Sequence, residues 1–214
     1  MKQQVKRRLP TQDRAQRTQL LIFEAALKLL ELEGLENFNT NRLAELSGFS
    51  VGTIYQYFED KHAILSALAQ HEQQRAMQEV RRLLLSDLAE LPSDDRSPRV
   101  RAVVRAILHT FGSRHRAHKV LLDIALQGAD HDDPEGAALT PLATLLTSGA
   151  IASRSGVTLT LSETDAFVLT QAVMGPIRSA LLRNVRLFRK PQFEDSLVDL
   201  IDAFVRRRSG EIRQ

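Results

Sequence analysis

Apolar residues along this 214-residue chain recur at three- and four-residue intervals, the period of a helix with one buried face. From Arg17 onward, Leu20, Phe23, Leu27 and Leu30 form one stripe, and Ile22, Ala26 and Leu29 widen it. Gly34 can take the left-handed conformation that closes such a helix. Thr40 is expected to cap a short helix carrying Leu43, Ala44 and Leu46, which Gly48 stops. Ser50 then caps another, where Ile54 and Phe58, four residues apart, share a buried face and hold the helix against Leu43 and Leu46.

A long helix is expected from Lys61 through Ile64, Leu65, Leu68, Met77, Val80, Leu83 and Leu84, up to the turn LPSDDRSP. Further helices are expected over residues 100–111, 119–127, 139–152, 167–187 and 193–205. Asp133 followed by Pro134 fits a helix start, and so does the Ser162 to Asp165 spacing. Gly175-Pro176 is expected to interrupt the penultimate helix, because proline removes a backbone donor and crowds the preceding turn. The resulting kink either opens space for a ligand or only fits the helix to its neighbours. No strand and no internal repeat is read. The fold class expected is all-α: three short N-terminal helices, a long connecting helix and a larger bundle.

Composition narrows this picture. The length suffices for an independent core, in one large domain or a small and a medium one. The absence of cysteine excludes disulfides and thiolate metal sites, and suits a reducing compartment. The N-terminal MKQQVKRRLPTQDR lacks the apolar core of a signal peptide, and no run approaches the roughly 20 apolar residues of a membrane span. A soluble cytoplasmic protein is expected. Net charge is +3, but Lys2, Lys6, Arg7, Arg8, Arg14 and Arg17 face only Asp13 in the first 20 residues. This basic arm either follows phosphates or serves as a solubilising tail.

The candidate chemistry lies in GFSVGTIYQYF, residues 48–58, which holds both tyrosines of the chain. Two short helices separated by SGFS match a helix-turn-helix, whose second helix enters the DNA major groove. That groove, about 12 Å wide, accepts a helix whose leading turn is small. Ser50, Val51, Gly52 and Thr53 meet this condition. Tyr55 and Tyr57 lie off the Ile54 and Phe58 face, where a phenol can bond a phosphate and its ring can pack on sugar or a thymine methyl. Lys61 adds a charge at a helix N-terminus on the same phosphate track.

The run from Arg17 to Leu65 resembles the DNA-binding domain of the TetR family of bacterial transcriptional regulators. The shared pattern is an Ile-x-x-Ala-Ala helix, a Gly, a Thr before Ile/Leu-Ala, and a Ser-x-Gly-Thr-x-Tyr-x-Tyr/His-Phe-x-x-Lys run. Here these positions are Ile22, Ala25, Ala26, Gly34, Thr40, Leu43, Ala44, Ser50, Gly52, Thr53, Tyr55, Tyr57, Phe58 and Lys61. The resemblance implies DNA contact by Thr40, Ser50, Val51, Gly52, Thr53, Tyr55, Tyr57 and Lys61. Two positions depart from the pattern. Phe49 stands where the family more often has Val, and Val51, where many members have a polar or basic residue, offers a base only a thymine-methyl contact. Gln56 can compensate by pairing with adenine, or else faces a phosphate or solvent.

The resemblance further implies a DNA-binding domain over residues 14–60 and an effector-binding, dimerising bundle over residues 61–209. The last two helices are apolar over more than one face, which points to a symmetric homodimer. Phe111, Phe167, Gln171, Met174 and Phe188 are the candidates to line a pocket for a largely hydrophobic small molecule. No cofactor or metal is expected: His109, His115 and His118 lack a completing cysteine or nearby acid, and RHRAHK reads as a solvated basic segment. Catalytic and phosphate-cradling motifs are absent, so an enzyme, including a small-molecule-modifying one with an appended helix-turn-helix, is not expected. The expected function is a DNA-binding repressor, dimeric and released from a palindromic operator by its effector. The alternative is a ligand-independent DNA-binding adaptor that recruits a protein through its C-terminal helices.

Overall fold

The structure is a computed structural model that describes residues 10–85, 97–128, 141–148, 151–152 and 158–211. Its helices are α1 (Pro10–Glu33), α2 (Thr40–Ser47), α3 (Val51–Tyr57), α4 (Lys61–Leu85), α5 (Ser97–Ser113), α6 (His115–Gly128), α7 (Pro141–Thr147), α8 (Glu163–Arg183) and α9 (Pro191–Glu211), with a 3-10 helix at Val185–Arg189. The all-α class holds. The expected helix start at Asp133 and Pro134 lies outside the described residues.

Two glycines end helices as their sequence positions suggest: Gly34 after α1 at φ 76° and Gly48 after α2 at φ 74°, both left-handed. Three of the helix assignments need correction. The helix expected over residues 139–152 is described only over Pro141–Thr147, and Ile151–Ala152 instead pairs antiparallel with Thr158–Leu159. Val157, Leu159 and Leu161 alternate with Thr158 and Thr160, a period-two signal that favours extended backbone. Pro176 does not interrupt α8, which runs unbroken from Glu163 to Arg183. The range expected from residue 167 also starts late: the helix begins at Glu163, at the start that the Ser162 to Asp165 spacing marks, with Ser162 accepting from the Asp165 amide at 3.1 Å.

The described residues form two compact units. One contains α1, α2, α3 and α4 up to Gln70, together with Arg116–Leu126 of α6. Its core holds Ile22, Phe23, Leu30, Phe38, Leu43, Ile54, Phe58, Ile64, Leu65 and Leu68, with Ala117 and Leu121 from α6. The rings of Phe23 and Phe58 meet at 5.7 Å between centroids. Leu20 and Leu46, expected in this core, are 50% and 38% exposed: burial of α1 starts at Ile22, and α2 buries only Leu43 and Ala44.

In the same unit the end of α1 and the start of α6 cap each other. The Glu31 carboxylate accepts from the Ala117 amide at 3.0 Å, while Arg116 donates to the Glu31 and Leu32 carbonyls, each at 3.2 Å. Each charge sits at the helix end whose dipole it complements.

The second unit packs α5, α7, α8 and α9 around Val104, Ile107, Leu108, Leu146, Leu169, Val173, Ile177, Leu197 and Val198. Across α5 and α9, Arg105 grips Glu194 through two hydrogen bonds and Arg101 bonds both Glu194 and Asp195. Arg105's hydrogen bonds, ahead of Arg101's, hold the Glu194 carboxyl below its ordinary range against the opposing effect of burial. Arg208 closes the other end of α9 onto Asp165 of α8 at 3.0 Å.

Candidate nucleic-acid interface

The geometry of the two short helices begins with a cap. Asn39, extended at φ −149° and ψ 163°, accepts from the Arg42 amide at 2.9 Å and is therefore the N-cap of α2. Thr40, expected in that role, is instead the first helical residue. Its hydroxyl lies 3.4 Å from the Tyr55 hydroxyl of α3. Arg42, two residues on, is committed to carboxylates: it binds Glu33 at the end of α1 through two nitrogens and also reaches Glu45. The Glu33 hydrogen bonds, followed by that of Glu45, raise the guanidinium's pKa above its ordinary value.

Ser50 caps α3 as its sequence position suggests, accepting from the Thr53 amide at 3.0 Å, and its hydroxyl also meets the Thr53 hydroxyl at 2.8 Å. Ile54 is fully buried and Phe58 nearly so. The opposite side of α3 presents Gly52, Tyr55 and Gln56, all exposed, with Tyr55 at 52%. Spaced three and four residues apart, they lie on one face of the helix. Val51 and Tyr57 are only partly exposed and lean on the core, so the two tyrosines do not share one environment.

Gly52 is informative because the fold does not require it. Its φ is not positive, and a Cβ built there would meet nothing nearer than the Ser50 hydroxyl at 3.8 Å, an ordinary contact. Lys61, partly buried, is the first residue of α4. The preceding Asp60 accepts from the Ala63 amide at 2.7 Å and so satisfies one of the first donors of that helix. Sequence reading passed over Asn39 and Asp60, although both are good cap residues directly before a helix.

The candidate effector residues belong to the second unit. Phe111, Met174 and Phe188 are partly buried against its core, and Gln171 is partly buried on α8. The Phe188 ring lies on α5, so that a Cβ at Gly112 would stand 3.3 Å from it, and meets Phe193 at 6.1 Å between centroids. Phe167 does not join them. It is 42% exposed because α8 turns Ala166, Leu169, Thr170, Val173 and Ile177 inward.

Among the described residues no group of three or more His, Cys, Asp or Glu is placed to hold a metal ion. RHRAHK is not the solvated segment expected, since Ala117 and His118 are buried and Arg116 is bonded to α1. Among the described residues no helix is long and apolar enough to cross a membrane.

Residues 22–68 match the profile of bacterial regulatory proteins of the tetR family. Over 40 residues the chain is 48% identical to an HTH-type transcriptional regulator of Staphylococcus aureus, a match spanning 19% of this chain and 22% of that protein's length. A TetR-family transcriptional regulator from Haemophilus influenzae shares the fold over 90% of this chain and 97% of its own, with a TM-score of 0.58 and 19% identity. The regulator FadR from Bacillus subtilis, solved in complex with stearoyl-CoA, shares it over 87% of this chain and 97% of its own, with a TM-score of 0.55 and 17% identity.

Proposed function

Residues 22–68 make this chain a member of the tetR family of bacterial regulatory proteins, and from that membership we propose that it is a dimeric transcriptional repressor released from a palindromic operator by a small, largely hydrophobic effector. The observation that carries the DNA-binding part is the exposed face of Gly52, Tyr55 and Gln56 beside the Thr40 hydroxyl. A helix with a small leading turn and hydroxyls at its flank suits entry into the major groove with phosphate contacts on either side. Ser50, Val51, Thr53, Tyr57 and Lys61 complete the proposed contact set, Val51 through a thymine methyl and Lys61 as a phosphate-directed charge.

In this reading residues 14–60 bind DNA, and residues 61–209 hold the effector and the dimer contact. Exposed Phe167 and Val168 on α8 and Leu200 on α9 support a helix-to-helix homodimer. Two copies then place their α3 helices in successive major grooves, about 34–36 Å apart. Phe111, Met174 and Phe188 support an apolar effector, and the stearoyl-CoA bound by the Bacillus subtilis regulator of the same fold is consistent with one. The effector acts by binding more tightly to the form of the dimer that does not fit the operator.

Footprinting of the full-length protein on the DNA upstream of its own gene tests the proposal. A protected palindrome that disappears on adding an apolar effector is expected. An intact, folded protein that protects no palindrome there would sink it.

A further inference from the structure

Between Asp165 and Glu194 the chain carries no acidic residue, yet it carries Arg178, Arg183, Arg186, Arg189 and Lys190. Arg183 ends α8, Arg186 and Arg189 lie on the 3-10 helix, and Lys190 follows it. These four are exposed, and none of their side chains has a hydrogen bond or ion pair with another described residue. By contrast, Arg101 and Arg105 in the same unit are met by Glu194 and Asp195.

The turn that bears these charges is held by its own backbone. The Leu187 amide donates to the Asn184 carbonyl, Lys190 to Leu187 and Phe193 to Lys190, each at 3.0 Å. Residues three apart in a 3-10 helix eclipse one another. Val185 and Phe188 therefore share one edge, which is partly buried, and Arg186 and Arg189 share another, which is exposed. Like charges on one edge repel. Arg189 and Lys190 also directly precede α9, whose N-terminal end is itself positive, so the helix dipole opposes them. Arg186, Arg189 and Lys190 thus gather like charges with no counter-charge among the described residues, and an anionic partner relieves that repulsion.

We propose that Arg183, Arg186, Arg189 and Lys190 form a second phosphate-contacting surface that engages DNA beside the operator without regard to its sequence. A row of unpaired cations on an exposed turn complements a repeating polyanion, and each phosphate it neutralises releases counterions whatever the base. The inference rests on the reading of the chain as an operator-binding protein.

The test is fluorescence anisotropy of the full-length protein across a salt series, on a duplex holding only the footprinted palindrome and on one with about one helical turn added at each end. Wild type is expected to bind the longer duplex more tightly and with a steeper salt slope. R186Q/R189Q is expected to lose that advantage, flattening the slope by about two units per engaged protomer, with unchanged affinity for the short duplex. R183Q/K190Q gives an independent second pair should the first misfold. Equal binding of both duplexes by wild type, or a full advantage kept by both variants, overturns the proposal. So does co-sedimentation with anionic phospholipid vesicles that both variants lose while DNA binding stays intact. Failure of wild type to bind either duplex overturns instead the operator reading beneath it.

Discussion

The hydroxyl oxygens of Thr40 and Tyr55 lie 3.4 Å apart, joining the first residue of α2 to the exposed face of α3. Thr40 is free for this contact because Asn39 caps the helix. Capping and contact thus fall to neighbouring residues, and they separate by mutation. Asn39→Ala is expected to cost about 1 kcal/mol in urea unfolding. Thr40→Ala and Tyr55→Phe, at an exposed pair, are expected to leave stability within about 0.5 kcal/mol and to weaken operator binding. Unchanged affinity in both would remove these hydroxyls from the interface.

Gly52→Ala is expected to move stability and binding in opposite directions. The fold has room for the methyl, and alanine in a helix is favoured over glycine by about 0.5–1 kcal/mol. Thermal unfolding is therefore expected to shift upward by about 1–4 °C. Against a groove wall the same methyl is in the way, so operator affinity is expected to drop at least about tenfold, or 1.4 kcal/mol. A stabilised variant with full affinity would show that the leading turn of α3 does not approach DNA.

Lys61→Ala is expected to weaken binding to specific and unrelated duplexes alike and to lower the salt slope by about one unit. Anisotropy at several salt concentrations checks it. An unchanged slope would mean that Lys61 meets no phosphate.

The ion pairs of Glu194 predict an acid-side loss of stability. Its carboxyl titrates below the ordinary glutamate value of 4.5, so the charged form is favoured in the fold. The stabilisation is complete above that ordinary value and is lost as pH falls through the lower folded value. Urea unfolding from pH 6 downward is expected to show this decline, and Glu194→Gln to flatten it. A variant with the wild-type pH profile would assign the decline to other carboxylates.

Much of the DNA-binding unit is legible in the sequence because its signals are local. Gly34 and Gly48 announce left-handed stops, Ser50 a cap, and Ile54 with Phe58 a buried stripe. What escapes is what depends on distant chain. Phe38 stands among Glu36, Asn37 and Asn39 and joins no apolar stripe, yet it is 2% exposed. RHRAHK reads as solvated by its charges, whereas Ala117 and His118 are buried and Arg116 is bonded to the end of α1. The proposed effector site is less legible, since an aromatic at helical spacing has the same pattern whether it lines a cavity, fills a core or, like Phe167, stays exposed. Pro176 shows a different limit: the preference against proline is a local cost, which the packing of Val173, Ile177 and Ala180 outweighs.

The mutual capping of Glu31 and Arg116 bears on how this protein can be taken apart. The unit bearing α3 is not one continuous stretch of chain: Ala117 and Leu121 fill its core from a helix 45 residues and more beyond Gln70. A head severed after residue 70 loses those side chains and leaves the amides and carbonyls at that seam unmet. Transplanting this unit onto another regulator therefore means carrying the α6 strip along, or finding in the recipient a helix with an arginine at the same place. The unit that carries α3 is a discontinuous module, and recombination at a single crossover would not transmit it whole.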